Sequence, residues 1–173
     1  MLQLGEHKVD VLAIIKEDHE AIRTKFAVLR QASGVKKRRE AFQEFLKQTN
    51  MALALGRVYL FPELDGLFNG ADAMVSSATA SGMKLEKCTK SIQKILAKPV
   101  AGQKNLDDKI DELEQVAQTY LRLVEELVMP KIRTFIRTED REDLAEVFND
   151  AKEDLEITWN ASISTSKQTR NMA

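Results

Sequence analysis

Apolar residues recur every three or four positions along most of this chain, and twice the pattern runs into a proline set in the same apolar frame. Residues 58–68 (VYLFPELDGLF) and 126–136 (ELVMPKIRTFI) carry Pro62 and Pro130 at the same place in the repeat. That spacing stacks side chains on one face of a helix, and each proline kinks or ends the helix it meets. The chain is thereby held to a set of amphipathic helices, two of which finish alike.

In residues 10–32, Leu12, Ile15, His19, Ile22, Phe26 and Leu29 form the clearest stripe, and Ser33-Gly34 closes it. A second helix spans 36–68, with Phe42, Phe45, Thr49, Leu53, Gly56, Leu60 and Leu64 inward and Pro62 near its end. From Gly66 to Gly82 the residues are small and polar, which predicts a loop and then a weakly specified helix start. The third helix becomes clear at Leu85, Cys88, Thr89, Ile92, Ile95 and Leu96, before Pro99 and Gly102 break it. Asn105 suits an N-cap, with Asp107 and Asp108 near the positive end of the helix dipole. The stripe Leu106, Ile110, Leu113, Ala117, Tyr120, Val124 and Leu127 carries a fourth helix to Pro130 and somewhat beyond. Thr138 caps a short fifth helix containing Leu144, Val147, Phe148, Ala151 and Leu155.

These elements predict an all-α protein: an up-down-up-down four-helix bundle with a short C-terminal fifth helix packed across one end. Its 7 Gly and 3 Pro in 173 residues, 43% of them hydrophobic and 31% charged, fit that class. Length predicts a single domain over 1–157, followed by a polar, flexible tail over 158–173. A net charge of -1 supplies no field that would draw nucleic acid or a membrane surface. The basic run Lys36-Lys37-Arg38-Arg39 reads as a solvated turn partly offset by Glu40 and Glu44. A lone Cys88 reads as a small core residue, and charge interrupts the apolar run at the N-terminus, so the expected location is cytoplasmic. Phosphate loops, CxxC pairs and nucleophile elbows are absent from the sequence, so no catalytic residues and no enzymatic activity are expected.

Ile15-Lys16-Glu17-Asp18-His19-Glu20-Ala21-Ile22, Leu60-Phe61-Pro62-Glu63-Leu64 and Val128-Met129-Pro130-Lys131-Ile132, with Glu125-Glu126 and Arg141-Glu142-Asp143-Leu144, form a combination. In it the chain resembles the hemerythrin-like (HHE) family of four-helix bundles over about residues 10–155. The resemblance implies a pair of non-haem iron atoms midway along the bundle, bridged by carboxylates, ligated mainly by His, and binding oxygen, nitric oxide or simply iron. It places His19 on a ligand position of the first helix. The family's His-x-x-x-Glu pair on the second helix falls on Ala52 and Gly56, and the third-helix His falls near Thr89, with Leu85 one turn before. On the fourth helix the positions are Tyr120 and Val124, with Glu125 next along and facing away.

The chain has two histidines, His7 and His19, too few imidazoles for such a centre. His19, Ala52, Gly56, Thr89, Tyr120 and Val124 therefore read as vestigial ligand positions, with His19 a core residue hydrogen-bonded to Tyr120 or Thr89. Gly56 predicts close packing against a bulky partner such as Tyr120, Phe26 or Met51. The expected protein is a non-catalytic bundle that has lost its diiron site and needs no cofactor. It would serve as a binding, sensory or structural module, through a protein partner or through self-association. Two alternatives stand beside it. One is a non-haem iron protein with an atypical site of His19, Tyr120 and Glu125, or the neighbouring Glu17 and Asp18. The other is a binder of a small apolar ligand in the space at Gly56.

Overall fold

A computed structural model describes residues 8–98 and 105–171, with side chains to 162. Helix α1 (Val11–Gln31) starts at Asp10, whose Oδ1 accepts from the Leu12 N–H at 2.9 Å. The predicted stripe from Leu12 to Leu29 is buried throughout, His19 included. Gly34, at φ +80, reverses the chain into α2 (Val35–Leu55). The second helix does not run unbroken to residue 68. A π-helical turn over Gly56–Leu60 follows α2, then a 3-10 turn over Pro62–Leu64, because Pro62 has no N–H to continue the α ladder.

Helix α3 (Ala71–Leu96) begins well before the expected position. The small residues taken for a loop are a packing surface: Ala71, Ala78, Ser81 and Gly82 are buried. A Cβ on Gly82 would lie 3.0 Å from Leu53 Cδ2 and 3.5 Å from Tyr120 Cε2, so glycine there lets α3 close on its neighbours. The predicted break at Pro99 and Gly102 lies outside the described residues. Asn105 occupies the cap position of α4 (Leu106–Leu123), but in a left-handed conformation and without a side-chain cap bond. A second π-helical turn, Val124–Val128, joins α4 to α5 (Met129–Phe135). Its added residue moves the buried stripe from Val124 to Val128 and Ile132, which leaves Leu127, expected inside, 55% exposed.

Helix α6 (Thr138–Asn171) corrects the picture of a short element lying across one end. It has 34 residues and starts at Thr138 itself, and it runs past residue 157 because 158–171 contain no glycine or proline to stop it. Its direction follows from its partners. Arg141 meets Asp10 at 2.8 Å and Lys152 meets Asp18 at 2.5 Å, so α6 advances beside α1, while Glu156 meets Lys47 of α2. The helix therefore lies along the α1–α2 face.

Within the four-helix bundle, α1 packs mainly on α2 and α3 mainly on α4. The basic run at the α2 start is more than a solvated turn. Arg38 Nε donates to the Ala32 carbonyl at 3.1 Å and Arg39 Nη2 to the Leu96 carbonyl at 2.7 Å, which satisfies acceptors at the C-terminal ends of α1 and α3. Cys88 is buried, and that burial pushes its thiol pKa up, as for a core residue. No helix among the described residues is long and apolar enough to cross a membrane.

Candidate functional site

Midway along the bundle is a cavity of about 20 Å³, walled by α1, α2, both π-helical turns, α4 and α6. From α1 come Ile15, Asp18 and His19, and from α2 with its π turn Ala52, Leu55, Gly56 and Leu60. Tyr120 and Val124 stand opposite, while Phe61 and Phe148 close the remaining sides. Five of the six positions singled out from the sequence thus meet at one place. Thr89 does not join them; its Oγ1 donates at 2.9 Å to the Glu86 carbonyl within α3.

The space is small because α2 lacks a side chain at Gly56 and two rings fill in. A Cβ there would stand 3.4 Å from both Phe61 Cζ and Tyr120 Oη. The expected close packing against Tyr120 is therefore present, and Phe26 and Met51 are not the partners. A cavity of about 20 Å³ has room for one water molecule and none for an organic ligand, which corrects the expectation of a small apolar ligand held at Gly56.

His19 is 3% exposed and its hydrogen-bond partner is neither Tyr120 nor Thr89. Nδ1 lies 2.8 Å from Glu125 Oε1, while the Tyr120 ring sits 6.4 Å away, centroid to centroid. Glu125 does not face away: it lies one helical turn after buried Leu121, and its carboxylate meets α1. Both carboxylate oxygens also accept from Arg23 Nη2, at 2.8 and 2.7 Å. Partial burial alone would raise the Glu125 pKa, but hydrogen bonds from Arg23 and His19 outweigh it and hold the carboxyl below its ordinary value. An ionised carboxylate only accepts, so Nδ1 of His19 carries the proton in this pair. Burial lowers the His19 pKa more than Glu125 raises it, so the ring is neutral near pH 7 and its lone pair is on Nε2.

Asp18 points to a different part of the fold. It is 6% exposed, and its Oδ1 accepts from Lys152 Nζ at 2.5 Å and from Gln48 Nε2 at 3.2 Å. Its signal was present in the sequence, since Val11, Ile15, Asp18 and Ile22 form a second three-and-four stripe on α1. The identity of its cation was not, because nothing along α6 marks Lys152 as inward. Glu17, the other acidic residue considered, is exposed. Tyr120 is buried and its hydroxyl pKa is pushed up to about 12 by that burial, so it keeps its proton.

A family model for the hemerythrin HHE cation-binding domain matches residues 10–132. The chain belongs to this family. Neither a curated relative nor a solved structure matches it. The matched segment includes the cavity walls supplied by α1, α2 and α4, and it stops short of α6. For this hemerythrin-family chain, no three His, Cys, Asp or Glu side chains among the described residues stand together in a way that could hold a metal ion.

Proposed function

We propose that this chain is a non-catalytic member of the hemerythrin family in which hydrogen-bonded side chains have taken over the place of a diiron centre. The observation that carries this reading is the donor set. A pair of iron atoms calls for several imidazoles with bridging carboxylates, and the cavity offers one imidazole, one carboxylate and one phenol. The phenol keeps its proton, the carboxylate is engaged by Lys152 and Gln48, and Glu125 is committed to His19 and Arg23. Ala52, Gly56 and Val124 supply no ligand atom from their side chains. The residues present do not fit a diiron centre.

On this reading the bundle serves as a binding, sensory or structural module that engages a protein partner or a second copy of itself, without cofactor or catalysis. His19 and Glu125 then join α1 to α4, a connection that metal ligation would make in an iron-loaded relative. The test is elemental analysis with an ultraviolet-visible spectrum of protein purified from iron-supplemented cells. The expected result is trace iron and no charge-transfer band; stoichiometric iron with such a band would overturn the proposal. His19→Leu should alter stability while leaving iron content unchanged.

One observation favours the rival, an atypical iron site. Glu125 holds the proton of His19 on Nδ1, as carboxylates do behind ligating histidines, and this leaves Nε2 with a lone pair. Tyr120 lines the same cavity. On that alternative His19→Leu and Tyr120→Phe would each remove bound iron, so the same elemental measurement separates the two.

A further inference from the structure

One wall of the cavity comes from outside the matched family segment, and the way that wall is attached sets it apart. Helix α6 contributes Phe148 to the cavity and, one turn on, Lys152 to Asp18, itself a cavity residue. The apolar residues α6 buries among the described residues are Leu144, Ala145, Phe148 and Ala151, two of them alanine. It also packs Leu155 and Trp159, each partly buried, against the core. Its charged ties to the bundle include Arg141 with Asp10, Lys152 with Asp18, and Glu156 with Lys47. The buried apolar residues of α6 end at Ala151; beyond Lys152 they are only partly buried, and partly exposed charge pairs contribute little net stability and weaken with salt.

We propose that α6 is a movable cover over the central cavity, anchored near Arg141 and latched at Lys152–Asp18, and that solutes reach His19 when this latch releases. The anchored end has the denser set of ties. Arg141 bonds Asp10 and also donates to the Ile136 carbonyl at 2.8 Å, and Lys8 reaches Glu146 at 3.2 Å. Beyond Lys152, α6 pairs Glu156, its side chain 56% exposed, with Lys47, and its apolar residues Leu155 and Trp159 are only partly buried. When the latch opens, Asp18 passes from a buried pair to water, where a carboxylate is at home. The opened state therefore strands no unpaired charge inside the protein. This inference holds with or without a metal-free cavity, since it concerns only what closes it.

The chain carries its own reporters. Trp159 is the single tryptophan and lies on α6, packed partly against the core. His19 is neutral near pH 7, so its acylation by diethyl pyrocarbonate reports access to the ring. The experiment compares wild type with Lys152→Met, following His19 labelling by peptide mass spectrometry against free N-acetylhistidine and Trp159 quenching by acrylamide. Labelling in wild type should be strongly retarded relative to free N-acetylhistidine. Lys152→Met should speed it about tenfold and raise Trp159 quenching, at unchanged helical circular dichroism. A second arm uses only wild type: raising NaCl from about 10 mM to about 1 M should speed His19 labelling with helicity constant. Should Lys152→Met fail to fold, the salt arm decides. His19 labelling that ignores both the substitution and salt would overturn the proposal, as would wild-type labelling as fast as the free amino acid.

Discussion

Asp18 and His19 are neighbours in the chain, both buried at the same cavity, and they are tied to opposite parts of the molecule. His19 turns to Glu125 and Arg23, contacts that stay within the four-helix bundle and join α1 to α4. Asp18 turns to Gln48 of α2 and to Lys152 of α6, and the Lys152 contact reaches outside the matched family segment. The His19 pair has a neutral donor on an ionised acceptor, while the Asp18 pair opposes two full charges. One is a fixed brace, costly to leave half-made. The other is held by charge and gives way when α6 gives way.

The largest effect should come from breaking the brace. Glu125→Leu leaves the Nδ1–H of a buried ring without an acceptor, an expected loss of about 2–3 kcal/mol in urea unfolding. Glu125→Gln keeps a carbonyl acceptor and should lose clearly less; equal losses would mean that packing and not the hydrogen bond matters. Next comes the latch: Lys152→Met should cost about 1–2 kcal/mol, less than a sealed ion pair because the lysine side chain is 27% exposed. In an Asp18→Asn background the same change should cost little, and a double-mutant cycle measures the difference.

A smaller effect of opposite sign serves as a control for the unfolding assay. Thr49 is fully buried and its hydroxyl finds no partner among the described residues, so Thr49→Val should stabilise by about 1 kcal/mol. Smallest is a dependence on pH that belongs to the His19 side alone. Burial puts the folded His19 pKa below its ordinary 6.5, so between those two values the unfolded chain binds more protons. Stability from this group is complete above 6.5 and declines as pH falls from 6.5 to the folded pKa. His19→Gln should flatten that slope, whereas Lys152→Met should leave it in place. Glu125, whose pKa is lowered from 4.5, adds a further loss only below that value.

Much of the fold was legible because it rests on local rules. Asp10, Gly34 and the α1 stripe act as their residue types predict, and five of the six positions singled out from the sequence meet at one cavity. Two of the misreadings share a cause. Small residues around Gly82 look like a loop until Leu53 and Tyr120 are seen pressed against them. Glu125 looks like a bystander beside the Tyr120–Val124 stripe until His19 and Arg23 of α1 are seen to meet its carboxylate. Thr89 shares a stripe with cavity residues, yet bonds its own helix. For Gly82 and Glu125 the deciding contact lies far along the chain, where periodicity carries no information.

Sequence by itself determined that this is an all-α bundle of the hemerythrin kind, with two histidines in 173 residues. Helical spacing, caps and a residue inventory depend only on near neighbours and composition. Only the tertiary structure decided which side chains meet His19 and Asp18: Glu125, itself held by Arg23, at His19, and Lys152 with Gln48 at Asp18. Those pairings depend on how the bundle helices face one another and on where α6 docks, and both are set by packing between helices.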